Sequence, residues 1–475
     1  MKNILYCSLL LFGLASCRKT LQESPKSIAE ENFYNTPAEV QAALGAIYSP
    51  LRGSECLGAV YQSIQEATGD WFQGRASYAP ISLFNGLDGT NTTRVGLIWN
   101  DFYLSIRNAN LVVRDVPKGD GLTDDQKNAS IGEARFMRAL NYFFLVRNWG
   151  GVPLRTEQTM DSISIPRANP AAVYQLIVSD LSFAENNLPD VAPVSGRPSK
   201  WAAKTLLADV YFYEADYSDA SQKAGEVIAS GKYALLKVNT PDDFNNLFGA
   251  GIATTPEEIF YLDYATQSTW AFPLYTAGVG TPYLGVDGYY AIYSNTTNPL
   301  YANWDNNDFR KAYGWYSWNT PLGPTVILNK KFTDPGSKTP DNSYTLYRYA
   351  DLLLLYAEAT SLAAGAPTAD AMEKLNMVHR RAYGYDPLQA SPVDFQLADY
   401  DLPSFVTLTI RERGYETQAE GKRWLDLVRS GKAAQSIQAA WGKTVSQKAF
   451  LWPIPVSELN YNKALDPAKD QNPGY

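Results

Sequence analysis

Two stretches of this chain repeat one arrangement of small and large residues at identical spacing: Ala208, Tyr211, Ala220, Ala224 and Val227, then Ala359, Leu362, Ala371, Leu375 and Val378. Steps of three and four are helical, and the longer step in the middle leaves room for a turn. Small residues let paired helices approach closely while bulky ones fill the space between them, so each stretch predicts a helical hairpin. Ile98, Phe102, Ile106, Ala109 and Val113 recur at similar steps and predict an amphipathic helix, with Trp99 assigned to packing. Ile131 to Trp149 is apolar on most faces and reads as a central helix that ends before Gly150-Gly151 and Pro153. The fold class is therefore mostly α, with tetratricopeptide-like hairpins as scaffold.

Between the helical blocks, from about Tyr233 to Tyr344, the chain is rich in Gly, Pro, Asn, Thr and aromatics and keeps no period. It reads as loop with short strands. A shorter segment of the same kind runs from Gly69 to Arg94. Long irregular insertions in a helical domain are usually functional, so these two segments are where a ligand is sought. The chain holds 32 Tyr and 11 Trp, and such rings suit flat polar ligands. A pyranose stacks its C–H face on an aromatic plane while its hydroxyls bond to Asn, Asp, Arg or Gln, and rigid rings lose little freedom in doing so.

Candidate ligand-binding residues are Trp71, Phe72, Arg75 and Tyr78 in the first segment. Trp270, Tyr283, Tyr289, Tyr290, Tyr293, Trp304, Trp315 and Trp318 are the candidates in the second. For any one ring, packing competes with ligand contact; for the set, at least two exposed stackers are expected.

An apolar run from Ile4 to Leu14 behind Lys2 ends in Leu14-Ala15-Ser16-Cys17. It is too short to span a bilayer and fits a bacterial lipobox, in which Cys17 is acylated and residues 1–16 are removed. Several acyl chains hold far more firmly than one. Function is then exercised beyond the inner membrane. With Cys7 lost and Cys17 lipidated, Cys56 stands alone as a small buried hydrophobe. Across 475 residues, a net charge of -8 argues against a phosphate-binding surface, so no nucleic-acid partner is expected.

Glu133 to Leu154 (E-A-R-F-M-R-A-L-N-Y-F-F-L-V-R-N-W-G-G-V-P-L) resembles the signature of SusD/RagB proteins, the nutrient-binding surface lipoproteins of Bacteroidetes. Further blocks follow in the family's order: Arg348 to Ala359, Leu375 to Ala382, Arg411 to Gly431, Leu451 to Asn460, and the terminal Gln471-Asn472-Pro473-Gly474-Tyr475. The resemblance implies a helical scaffold whose inserted loops form a glycan or nutrient site. It also implies a partner, a SusC-like TonB-dependent outer-membrane transporter, and a place on the outer membrane facing the cell exterior. The blocks themselves look structural. Glu133, Arg135, Arg138, Arg348, Asp351, Glu358, Arg411, Glu412, Arg413, Glu416, Glu420, Arg423 and Asp426 are expected to form ion pairs, several at helical spacing.

Catalysis has little support in the residues. The single histidine, His379, lies inside a predicted helix, and no Cys or His spacing fits zinc. No cofactor is implied. A structural calcium ion at Asp305-Asn306-Asn307-Asp308 stays open, but the run lacks an EF-hand's alternating ligands and Gly and reads as a turn in which Asp308 pairs with Arg310. Glycoside hydrolysis needs only two carboxylates, for which Asp70, Asp88, Asp101, Asp287 and Asp305 are available. The reading is thus a leader (1–16), a helical region (17–232), an irregular ligand-binding insertion (233–344) and a C-terminal helical region (345–475). The function expected is oligosaccharide binding without chemical change. A RagB-type peptide binder and a glycoside hydrolase are the alternatives.

Overall fold

The computed structural model describes residues 33–252, 254–264 and 270–475. The leader and Cys17 lie outside them. About 52% of the chain is helical, with seventeen α-helices among the described residues and only short strands. Twelve helices run seven residues or longer: α1 (Pro37–Arg52), α2 (Val60–Thr68), α3 (Gly89–Asp115), α4 (Asp124–Trp149), α5 (Pro170–Asn187), α6 (Lys200–Tyr213), α7 (Tyr217–Ala229), α8 (Tyr349–Ala364), α9 (Ala369–Ala382), α10 (Leu402–Glu416), α11 (Arg423–Arg429) and α12 (Ala433–Trp441).

The repeated spacing is realised as two hairpins, α6–α7 and α8–α9, which stack through α7 on α8. Ala208, Ala220, Ala224 and Val227 are fully buried in the first, as are Ala359, Ala371, Leu375 and Val378 in the second. Tyr211 and Leu362 are half-buried at the margins. Helix α4 is the central rod, packed on α3 and α5. Its start is fixed by a capping box in which Thr123 and Gln126 satisfy each other's backbone amides. It stops at Gly150, whose φ of 73° suits glycine. The helix predicted around Ile98–Val113 begins earlier than the irregular segment allowed: the Asp88 carboxylate accepts from the Asn91 amide at 3.0 Å, so that segment ends at 88 and not at Arg94.

Among the described residues, six short strands complete the fold. β1 (Gln73–Gly74), β3 (Ile292–Asn295), β4 (Trp315–Ser317) and β5 (Val326–Asn329) form an antiparallel sheet in the order β1-β3-β5-β4, with Gln73 opposite Tyr293, Ser294 opposite Ile327 and Trp315 opposite Asn329. β2 (Glu258–Leu262) pairs with β6 (Tyr344–Arg348). The first sheet joins the two irregular segments, although the largely helical residues 89–232 separate them in sequence.

Apart from exposed Arg411 and half-buried Arg135, the charged signature residues are buried, and they pair mainly between elements, not at helical spacing as expected. Arg348 lies between Glu416 (2.5 Å) and Glu420 (2.7 Å), and Arg381 bridges Glu257 and Glu416. Arg413 joins Asp351 (2.6 Å) to Asp426 (3.1 Å), Arg429 holds Glu358 (2.9 Å), and Arg138 sits between Asp180 (2.7 Å) and Glu157 (2.5 Å). The reason is dielectric: a charge removed from water needs partners on several sides, and one helix face offers only one. Burial alone would push the Glu416 carboxyl up, but Arg381 and Arg348 hold it well below the usual range. Asp308 pairs with Arg310 at 2.6 Å, as read from the sequence. Cys56 is a buried free thiol, and Trp99 is buried against Trp149. No helix among the described residues is long and apolar enough to cross a membrane.

Candidate functional site

The two irregular segments supply two layers of aromatic rings, one inside the other. The inner layer starts at Trp71 and Phe72, which lead into β1. Trp71 packs on Trp315 (5.7 Å, 29° between planes) and Trp304 (5.5 Å), and Phe72 on Trp315 (5.1 Å). Trp304 in turn stacks on Tyr415 of α10 at 4.2 Å and 4°, with its indole N–H donating to Asp308 Oδ2 at 2.8 Å. Trp270 belongs to a neighbouring core group, stacked on Tyr344 at 5.5 Å and edge-on to Phe332 at 4.6 Å. All five candidates are buried. A ring with protein on both faces cannot receive a sugar, so the expectation of ligand contact for Trp71, Phe72, Trp270, Trp304 and Trp315 is corrected to core packing.

The outer layer is a ledge. Tyr78, whose ring edge meets Tyr275 (5.8 Å), is buried and supports the ledge from below, while half-buried Tyr275 meets Tyr289 (5.5 Å), which is 54% exposed. Tyr290 follows at a φ of 35°, a left-handed conformation unusual for a residue with a β-carbon. Its ring carries the Arg75 guanidinium at 4.0 Å, and Arg75 Nη1 donates to the Tyr289 carbonyl at 3.2 Å. A second group continues the ledge: Tyr283 meets Tyr316 (4.7 Å), and Tyr316 meets Trp318 (5.9 Å).

The backbone of residues 277–278 ties the two groups together. The Ala277 carbonyl accepts from the Tyr290 amide (2.9 Å), and the Gly278 amide donates to the Tyr316 hydroxyl (3.1 Å). The Trp318 indole N–H donates to the next carbonyl, Val279, at 2.9 Å. Glycine is required here for closeness: a β-carbon on Gly278 would fall 2.4 Å from Trp318 Cδ1, and one on Gly288 would fall 2.1 Å from the Ala277 oxygen. Val279 stands 55% exposed at the rim.

Of the sequence candidates, then, the fold brings together Arg75, Tyr283, Tyr289, Tyr290 and Trp318, while Tyr78, buried beneath Tyr275 and Arg94, is corrected to packing like the inner rings. Tyr293 lies half-buried in β3. Sequence reasoning missed Tyr275, Tyr316, Arg94 and Lys330. The last two lie over the rings of Tyr78 (4.0 Å) and Tyr283 (4.8 Å). Tyr316 was findable, since β4 alternates and an inward Trp315 puts its neighbour outward. Tyr275 sits on a one-turn helix with no local signal.

The acidic candidates are dispersed. Asp70 is locked to Arg423 at 2.8 Å, Asp88 caps α3, Asp287 accepts from the Gly280 amide at 2.7 Å, and Asp305 turns back on Asn307 at 2.9 Å. Asp101 alone resembles a tuned acid, pushed up to about 6 by burial and then by Glu55. The arrangement offers ring faces, cations and backbone polar groups to a flat, hydroxylated ligand.

Comparison with known proteins gives one consistent picture. Residues 21–212 match a SusD-like family described as starch-binding and associating with the outer membrane, and residues 209–475 match the SusD family. SusD-like protein P25 of Formosa agariphila is 24% identical over an alignment spanning 100% of this chain and 99% of that protein. The starch-binding protein SusD of Bacteroides thetaiotaomicron is 23% identical, over 75% of this chain and 74% of its own. A crystal structure of a SusD homolog from Bacteroides thetaiotaomicron superimposes with a TM-score of 0.79 at 23% identity, covering 94% of this chain and 98% of that one. A laminarin-binding SusD-like protein gives 0.73 at 24% identity, over 93% and 100%.

Proposed function

The chain belongs to the SusD/RagB family, and from that premise we propose that it binds oligosaccharide at the Tyr275–Trp318 ledge and hands it unchanged to a SusC-like TonB-dependent transporter. The observation that carries this reading is the pair of ring groups, one exposed ring and several half-buried ones, joined through the backbone of Ala277 and Gly278. Each ring is fixed from behind by hydrogen bonds or ring contacts, so little conformational freedom is lost when a sugar lies across it. Similar proteins named for starch and laminarin binding support the ligand class. The family's association with the outer membrane supports its place there, with acylation at Cys17 as the proposed anchor.

The test is affinity electrophoresis through gels containing a panel of polysaccharides, with a peptide panel read by calorimetry. Retention by at least one polysaccharide, weakened in Tyr289→Ala and Trp318→Ala, is the expected result. Binding to peptides alone would replace it with the RagB-type reading. A hydrolase would need a raised carboxyl such as Asp101 as its acid, and product analysis of bound oligosaccharide reads that directly. The expected product is the intact oligosaccharide.

A further inference from the structure

Elsewhere in this molecule buried arginines are matched by carboxylates: Arg138, Arg310, Arg348, Arg413 and Arg423 each contact at least one Asp or Glu within 3.1 Å. The half-buried cations of the ledge are held differently. Arg75, Arg94 and Lys330 make no ion pair among the described residues, and each instead lies over a tyrosine face, at 4.0, 4.0 and 4.8 Å. A cation resting on a ring keeps its charge while its orientation is fixed.

Arg94 spends its donors locally, on Ser77 and on Asn91 Oδ1 at 2.7 Å. Arg75 does not. Only its Nη1 is engaged, at the Tyr289 carbonyl, which leaves Nε and Nη2 as a planar fork beside the most exposed ring of the row. A fork of two parallel N–H groups fits an anionic oxygen pair, such as a carboxylate or a sulfate ester, better than it fits a hydroxyl. No Asp or Glu among the described residues pairs with Arg75, and Asp287 accepts instead from the Gly280 amide.

Building on the oligosaccharide reading above, we propose that the ledge selects an acidic oligosaccharide, held by Arg75 through a carboxylate or sulfate on the sugar unit lying against Tyr289. The chain's net charge of -8 gives it no general attraction to polyanions, so selectivity for an acidic glycan has to come from such a local array.

The test compares retention in gels of polygalacturonate, dextran sulfate and neutral laminarin, from about 0.01 to about 1 M salt, across which the screening length falls from ~30 to ~3 Å. The expected result is retention by an acidic polymer about tenfold stronger than by laminarin at low salt, converging on it at high salt. Retention in polygalacturonate alone identifies carboxylate, and in dextran sulfate alone sulfate. Arg75→Gln narrows the acidic-to-neutral ratio towards one, and Arg75→Lys restores part of it. The salt response of the unaltered chain reads the same contact without any substitution. Retention by laminarin alone, or a ratio unmoved by Arg75→Gln, overturns this inference and leaves oligosaccharide binding standing. Retention in none of a broad polysaccharide panel overturns both.

Discussion

The inner and outer aromatic layers come from the same two segments and the same residue types, yet they do opposite work. Trp71, Trp304 and Trp315 fill the space between β1, β4 and α10, while Tyr275, Tyr289, Tyr316 and Trp318 stand on the far side of the same backbone. What separates them is not hydrophobicity. Trp318 is as apolar as Trp315, but its indole N–H is committed to the exposed Val279 carbonyl at the loop rim, whereas Trp315 occupies the inward position of a strand. Aromatic composition alone therefore says that rings are needed, and backbone geometry decides which of them a ligand can touch.

The comparison is most severely tested by Trp71→Ala, which should destabilise the fold by about 3–5 kcal/mol in chemical denaturation, because it opens a cavity against three other rings. A stably folded Trp71→Ala protein that had lost only its ligand would place that ring in the wrong layer. The next effect belongs to Glu66, at the end of α2 just before Trp71. Burial pushes its carboxyl up to about 8, the Gly421 amide offsetting only part of this. Between about 4.5 and 8 the folded chain holds a proton there that the unfolded chain has released. The contribution is thus fully present below about 4.5 and is lost as pH rises through about 8. Glu66→Gln cannot ionise, so its stability relative to the parent should rise by about 2–4 kcal/mol between pH 5 and pH 9, read by urea unfolding at both.

On the outer layer the expected signs reverse. Tyr289→Ala should shift stability by no more than about 0.5 kcal/mol and weaken oligosaccharide binding roughly tenfold, measured by calorimetry beside a melting curve. Gly278→Ala should do less than Tyr289→Ala: its β-carbon forces the Trp318 ring aside, and titration should show a loss of about threefold, near 0.7 kcal/mol. An effect on ligand from Trp71 larger than from Tyr289, at equal folded fraction, would invert the two layers.

Much of the scaffold was legible because helices announce themselves by period. The Ala208 and Ala359 series became stacked hairpins, and Ile131–Trp149 became the central rod. The charged blocks were legible as structural, but their partners were not: Arg423 finds Asp70 and Arg381 finds Glu257, separations no local spacing can report. The proposed ligand surface was half legible as a place in the fold. Arg75, Tyr289, Tyr290 and Trp318 lay in the segments singled out for irregularity, while their inward neighbours lay in the same segments with the same composition. Loops carry no period to sort one from the other. Only in β4 did two-residue alternation carry the answer, and it pointed to Tyr316.

The bond between Asp70 and Arg423, with the Glu66 carboxyl accepting from the Gly421 amide, reaches across more than 350 residues to clasp the base of the inner rings. Charged groups at such a junction are mutually unwelcome in an apolar interior until both have arrived. An emerging chain thus has no finished ledge to offer while its last sixth is still being made. The aromatic base and the last sixth of the chain are therefore completed together.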